Sequence, residues 1–355
     1  MDLVLGRRLR ELPGPVMVTG HTGFKGSWLT FLLEELNVPV VGFSLPPKKD
    51  SLFERAERTG AIPEVFQDIR SNKNLLDFMA KHQPSAVIHM AAQPLVLESY
   101  VYPRETFETN VMGTVNVLDS SFKTDSVKAV IVVTTDKVYR NDNSGRPFIE
   151  SDPLSGKDPY SASKVGTESV VAAWQQIAKV SGGAKVISVR AGNVIGGGDF
   201  SANRLLPDII RGLTINSSIQ IRNPDSTRPW QHVLDPLSGY LKLLEKTIYG
   251  SAFIESINFG PEHESLAVEK VLNIFEDSWA EKINRQIIKD ESNTEAQILQ
   301  LDSSYARNEL DWTPKWTQEN AVRATAKWWD SVINLGISPL EASQCDIRYL
   351  LNETE

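Results

Sequence analysis

The chain has 355 residues, 41% hydrophobic and 23% charged, with 37 Lys and Arg against 45 Asp and Glu for a formal net charge of −8. That length suits about two domains, or one large domain with an added lobe, and buries a core without crosslinks. The acidic balance argues against a general nucleic-acid-binding surface, and the single cysteine, Cys345, excludes an intrachain disulfide and a cysteine-rich metal site. The first fifteen residues mix Arg7, Arg8, Arg10 and Glu11 without the apolar stretch of a signal peptide, and no 18-residue apolar run follows. The expectation is a soluble, cytoplasmic chain with no nucleic-acid or membrane partner. No metal site is expected, because His89 and His232 lack companions at ligand spacing and His21 is read as packing in a glycine-rich loop.

In chain order, residues 16–19 read as a buried strand, followed by a glycine-rich turn and a helical pattern over 27–36. Further apolar runs occupy 38–43, 86–90, 128–134 and 185–190, with helical patterns at 72–82, 105–122 and 160–180. The runs are continuous rather than alternating, so these strands are covered on both faces. Strands separated by helices of this length imply right-handed crossovers in a parallel sheet. The fold class expected is therefore α/β, a Rossmann-type doubly wound parallel sheet, over roughly residues 1–190. Past Gly192 the texture changes: glycines cluster at 196–198, arginine-bearing segments follow, and helical patterns return at 236–246, 266–277 and 318–332. Residues 191–355 thus predict mainly a smaller α+β lobe, with part of 232–260 returning to the first domain. The first dozen residues and 352–355 are expected to be disordered, and Trp328 and Trp329 to lie in the core.

The turn Thr19-Gly20-His21-Thr22-Gly23-Phe24-Lys25-Gly26 sits between strand and helix. Bare backbone there lets a pyrophosphate approach N–H groups, and the helix N-terminus favours the phosphate charge. The acidic residue that commonly bonds the adenosine ribose about 20 residues further on is missing. Ser44 is placed to bond a ribose hydroxyl, and Lys48 or Lys49 to pair with a 2′-phosphate, so the residues leave NAD and NADP both open. Tyr160 and Lys164 lie four apart at the start of a helix, on one face. A phenol of pKa ~10 is a poor base at neutral pH; a neighbouring ammonium and a nicotinamide cation lower it. Such a tyrosinate takes a proton from a sugar hydroxyl, and Thr134 or Thr135 supplies a hydroxyl to the same oxygen.

With these motifs the chain resembles, over nearly its whole length, the extended short-chain dehydrogenase/reductases that act on nucleotide sugars. The resemblance includes Ala91-Ala92-Gln93 after the strand at 86–90 and Asn110 in the next helix. It implies a tightly bound, recycled NAD, held by Gly20, Thr22, Gly23, Phe24, Lys25, Gly26, Ser44, Asp68, Ile69, Ala91, Ala92, Gln93, Asn110, Thr134, Tyr160 and Lys164. It also implies a homodimer in which the 105–122 and 160–180 helices, each more apolar than one sheet face needs, pair across a two-fold axis.

Thr135-Asp136-Lys137 narrows the class further. Once C4 of a hexose is a ketone, the C5 proton is acidified and the C6 hydroxyl can leave, which needs a base and an acid. A 4-epimerase needs only the Thr, Tyr and Lys, and a non-catalytic NAD-sensing protein would need no reactive Tyr–Lys spacing. Dehydratases acting on dTDP-glucose carry Asp-Glu at this place; the Asp-Lys here resembles the CDP-glucose 4,6-dehydratases, although inverting UDP-N-acetylglucosamine dehydratases have their own Asp-Lys. The catalytic set is then Thr135, Asp136, Lys137, Tyr160 and Lys164, with Asp136 as acid and Lys137 as base or enolate stabiliser. The segments 190–199, 204–208 and 228–233 resemble the same enzymes. That likeness implies CDP-glucose as substrate, contacted by Gln93, Asn193, Arg204, Arg222, Arg228 and His232; dTDP-, GDP- and UDP-linked hexoses are the alternatives. A guanidinium fork suits diphosphate oxygens.

Overall fold

The computed structural model describes residues 5–141, 144–201, 204–215, 217–222, 224–250, 254–262, 265–279, 283–288 and 299–352, without the side chains of Arg222 and Ile288. Its frame is a parallel sheet of β1 (Val16–Thr19), β2 (Val40–Ser44), β3 (Glu64–Phe66), β4 (Ala86–His89), β5 (Ala129–Val133) and β6 (Lys185–Ala191). In β1, β2, β4 and β5 every residue is buried, as strands in the middle of a three-layer stack must be.

Side chains alternate between the two faces. Val16, Val18, Ile88 and Ile131 join a core with α1 (Phe24–Glu35). Met17, Val87, Val130 and Val132 pack instead with Leu75, Phe78, Val117 and Val171. Those four come from α3 (Asn72–His82), α6 (Gly113–Phe122) and α7 (Pro159–Ser181). The short helices α2 (Leu52–Arg55), α4 (Val96–Val101) and α5 (Pro103–Phe107) fill the connections.

After β6 the chain builds the lobe from short pairings. β7 (Val194–Ile195) runs parallel to β10 (Gln231–His232), β8 (Ile219–Arg222) parallel to β13 (Arg285–Ile288), and β9 (Thr227–Arg228) antiparallel to β12 (Leu266–Ala267). Helices α8 (Leu205–Thr214), α9 (Leu234–Tyr249), α10 (Val268–Ser278), α11 (Ser304–Leu310), α12 (Gln318–Ile333) and α13 (Pro339–Leu350) surround them. The strand β11 (Ser256–Phe259) pairs with β6, so the main sheet has the order β11-β6-β5-β4-β1-β2-β3, with β1 and β4 adjacent where the winding reverses. Trp328 and Trp329 are buried in the core, where the sequence reading put them. No helix among the described residues is long and apolar enough to cross a membrane.

Three local expectations are corrected. The helix expected over 105–122 is interrupted at Glu108–Met112 by a π-turn, where the Asn110 carbonyl accepts from the Thr114 and Thr167 hydroxyls at 2.7 and 2.8 Å. Residues 266–267 are strand, and the helix begins at Val268. The first dozen residues include the ordered 3-10 turn Arg8–Glu11: Leu9 is buried, and the Arg8 guanidinium lies 3.8 Å from the Tyr249 ring centre. Residues 1–4 and 353–355 lie outside the described residues.

Candidate active site

The turn after β1 is shaped by close backbone packing. Gly20 has φ +76°, in the left-handed region, and a Cβ on it would lie 2.8 Å from the Ala91 Cα at the end of β4. Gly26 presses α1 onto the turn so tightly that a Cβ would stand 2.1 Å from the Gly20 carbonyl oxygen. Thr22 donates to the Leu45 carbonyl at 3.0 Å and lies 2.8 Å from the Ser44 hydroxyl, tying the turn to the end of β2. His21 packs between Phe53 and Phe66, its Nε2 2.6 Å from a Glu64 carboxylate oxygen.

The first N–H groups of a helix have no partner within it and attract anions. A cradle of glycines around such a terminus fits a dinucleotide pyrophosphate. Phe24 and Lys25 open α1 half-buried. Beyond β3, Ile69 is buried, while the Arg70 guanidinium grips the Asp68 carboxylate at 2.7 Å and holds its pKa below the usual range.

The reactive groups gather at the carboxyl end of β5. Thr135 donates to an Asp136 carboxylate oxygen at 2.9 Å and accepts from the Lys137 N–H at 3.3 Å, closing the 3-10 turn Asp136–Val138. Burial pushes the Asp136 carboxyl up, opposed by the half-buried Lys137, by the Thr135 bond and by Lys25. Tyr160 follows Pro159 at the start of α7, where the Asp158 carboxylate caps the Ser161 N–H at 2.9 Å. Burial pushes its phenol up to about 12; the Thr135 hydroxyl and Arg204 pull it down, and Asp136 pushes it further up.

Lys164 donates to the Val133 carbonyl at 3.0 Å, and burial lowers it to about 8 against the support of Glu168. Lys25 is lowered to about 8 by burial, then by the charges of Arg204 and Lys164. These mutual influences bring Lys25, Thr135, Asp136, Lys137, Tyr160, Lys164 and Arg204 into one cluster. Among the groups of the chain, the Thr135 hydroxyl and Arg204 pull the phenol down, while the Lys164 ammonium, one helical turn past Tyr160, is held by the Val133 carbonyl.

Other sequence-predicted residues are placed as follows. Arg204 is held by Asp199 at 2.9 Å. Asn193 is exposed, next to Gly192, where a Cβ would stand 3.1 Å from Asp136 Oδ2. Half-buried Arg228 lies in β9, opposite Leu266; the Arg222 side chain lies outside the described residues. Ala91, Ala92 and Gln93 line the end of β4, with the Gln93 amide donating to Thr106 at 3.0 Å.

His232 is a correction. It is sealed from solvent, its ring stacked 4.2 Å from that of Trp316, so it packs the core instead of meeting a substrate. Asn110 and Thr134 are buried with their side chains bonded to the protein. The Asn110 amide bridges Gln93 and Ser163, and Thr134 donates to Glu168 at 2.6 Å. Sequence reading missed Glu168, Arg190, Asp199 and Tyr139; one signal for Glu168 was its place one helical turn past Lys164. An open cavity of about 650 Å³ lined by Pro15, Asn37, Ile62 and His82 holds none of the cluster. The cluster lies at the opposite edge, at the carboxyl ends of the strands, where sheets of this kind bind ligands.

A sequence profile of the NAD dependent epimerase/dehydratase family matches residues 16–253. The CDP-glucose 4,6-dehydratase of Salmonella typhimurium (strain LT2) is 41% identical over 321 residues, covering 88% of this chain and 89% of that protein. The dTDP-glucose 4,6-dehydratase of Escherichia coli is 25% identical over 346 residues, covering 88% and 93%. Among solved structures, DesIV, a dTDP-glucose 4,6-dehydratase from Streptomyces venezuelae with NAD bound, superposes with a TM-score of 0.75 at 24% identity, covering 92% of this chain and 99% of that one. The UDP-glucose 4-epimerase of Brucella ovis in complex with NAD gives 0.77 at 20% identity, covering 88% and 97%. The likeness to these two structures is one of fold.

Proposed function

Because the chain belongs to the NAD-dependent epimerase/dehydratase family, we propose that it is a hydro-lyase, a CDP-glucose 4,6-dehydratase that yields CDP-4-dehydro-6-deoxy-D-glucose. The observation that carries the reading is the buried Asp136, followed by Lys137 and set beside Thr135 and Tyr160. The 41% identity to the Salmonella CDP-glucose enzyme supports the nucleotide.

NAD is the cofactor, held by the glycine cradle of 20–26 and by Ser44. The chemistry it supplies when bound is removal of hydride from C4 and its return to C6, so no external redox partner is needed. The residues of the chain move the protons. Tyr160 takes the proton of the C4 hydroxyl; Arg204, the positive nicotinamide of bound NAD and, once Asp136 is protonated, the Thr135 hydroxyl would stabilise its phenolate. Once C4 is a ketone, Lys137 takes the C5 proton or neutralises the enolate oxygen. Asp136 gives its proton to the C6 oxygen, which leaves as water; burial favours the protonated carboxyl this step needs. A proton returned to C5 completes the product. Arg228 pairs with the diphosphate, Asn193 contacts it, and Arg204 meets the nucleotide. The lobe after residue 191, without α9 and β11, forms the sugar-nucleotide side of the cleft.

Turnover in heavy water tests the elimination: the product should carry one solvent deuterium at C5, and a product without it would overturn the mechanism. The assembly read here is a homodimer. Leu97, Tyr100, Val101, Phe107 and Met112 expose an apolar face on α4, α5 and the π-turn, all of which pack along α7.

A further inference from the structure

We propose that the buried Glu168–Arg190 pair is the positioning device of the reaction centre, holding the Thr135–Lys137 turn in register with the helix that carries Tyr160 and Lys164. The inference deepens the dehydratase reading and rests on it for the substrate used in the kinetic arm.

Glu168 lies on α7, one turn past Lys164, and its carboxylate accepts four hydrogen bonds. Thr134 gives one at 2.6 Å, Ser188 one at 2.8 Å, and the Arg190 fork two at 2.9 Å each. Arg190, on β6, turns its remaining nitrogen to the Tyr139 hydroxyl at 2.8 Å and to the Glu150 carbonyl at 2.9 Å. The Tyr139 hydroxyl donates in turn to Asn258 on β11 at 2.7 Å. The clasp therefore grips residue 134 on one side of the reactive turn and residue 139 on the other. It fastens both to the helix of Tyr160 and Lys164.

Stability does not account for this arrangement. Both side chains are about 5% exposed, and taking two charges out of water costs several kcal/mol that an apolar pair would not incur. What the ion pair gives that apolar packing cannot is directional bonding to four partners at once. Burial works against the Glu168 carboxylate, yet Arg190, Thr134 and Ser188 hold it ionised. Its charge then supports the Lys164 ammonium, which burial otherwise depresses. Other ionisable groups around Lys164 include Tyr160 one turn before it on α7, Lys25 on α1 and His89 on β4, the last neutral because burial lowers it to about 3.

The test compares Glu168→Gln, Arg190→Lys and Tyr139→Phe with wild type, each checked by thermal melting. Glu168→Gln should lower kcat at least ~10-fold with KM for CDP-glucose within about 3-fold, the mark of lost alignment rather than lost binding. Arg190→Lys and Tyr139→Phe should lower kcat as well, with KM again within about 3-fold. Tyr139→Phe removes one hydroxyl and no charge, so it keeps the test alive if the charge variants fail to fold. Wild-type kcat in folded Glu168→Gln and Tyr139→Phe would overturn the inference.

A substrate-free arm separates this from failure of the dehydratase reading. Lys164 is depressed in the folded chain, so its contribution to stability rises as pH climbs from about 8 toward its unfolded value. Measured against a Lys164→Met background, Glu168→Gln should start that rise at lower pH. An unmoved onset would refute the inference even if no nucleotide sugar is turned over.

Discussion

Asp235 makes the sharpest physical prediction. It lies buried in the first turn of α9; one carboxylate oxygen accepts the Lys315 N–H at 2.6 Å, and the other has no hydrogen-bond partner among the described residues. Burial pushes the carboxyl up to about 8 against the pull of the Lys315 and Trp316 N–H groups. The dipole of α9 favours the charged form by about 0.3–1 kcal/mol, less than one pKa unit, too little to reverse the shift. The folded pKa is raised, so the unfolded chain gives up this proton near pH 4 while the folded chain keeps it to about 8. The associated stability is fully present below pH 4 and is lost as pH rises through 8, at about 1.4 kcal/mol per pH unit. Asp235→Asn keeps the acceptor facing Lys315 and removes the titration. Between pH 5 and 7 the variant should therefore gain about 3 kcal/mol on the wild type. Denaturant unfolding at a series of pH values, with equal m-values for the two proteins, measures this directly. Parallel stability profiles across that range would refute the reasoning.

Three further outcomes follow from the site. Gly26→Ala forces a Cβ against the Gly20 carbonyl, so NADH affinity measured by titration should fall at least ~10-fold; unchanged affinity would contradict the cradle. Gly192→Ala pushes a methyl against Asp136, which Thr135 holds from the other side; kcat should fall about 3- to 10-fold with NADH affinity unchanged. Tyr100→Glu combined with Val101→Glu places charge on the exposed apolar face and should shift the sedimenting species from dimer to monomer. A wild-type chain that sediments as a monomer would remove the dimer.

The sheet was legible because residues 16–19, 86–90, 128–134 and 185–190 are short, β-branched, largely apolar runs bounded by turns and separated by helical patterns, as strands under two layers of helix are. The half-buried β3 is too short to stand out that way. The π-turn at Asn110 left no periodicity signal, because it depends on hydroxyls of Thr114 and Thr167 meeting one carbonyl. Leu9 looked like part of a charged tail until α9 offered Glu245 to the Arg8 N–H. At the site, residue types and spacing brought out the Tyr160–Lys164 pair and the Asp136–Lys137 step. His232 misled because an imidazole that packs against Trp316 reads, in sequence, like one that meets a ligand. Glu168 and Arg190 gain their meaning only from contacts 22 positions apart.

The central claim is tested most directly by turnover of CDP-glucose, dTDP-glucose, UDP-glucose and UDP-N-acetylglucosamine with added NAD, read by the alkali-induced absorbance of the 4-keto sugar. CDP-glucose should give product and the other three none. Product from a different nucleotide would contradict the substrate, and no product from any of them would contradict the dehydratase chemistry assigned to Asp136 and Lys137.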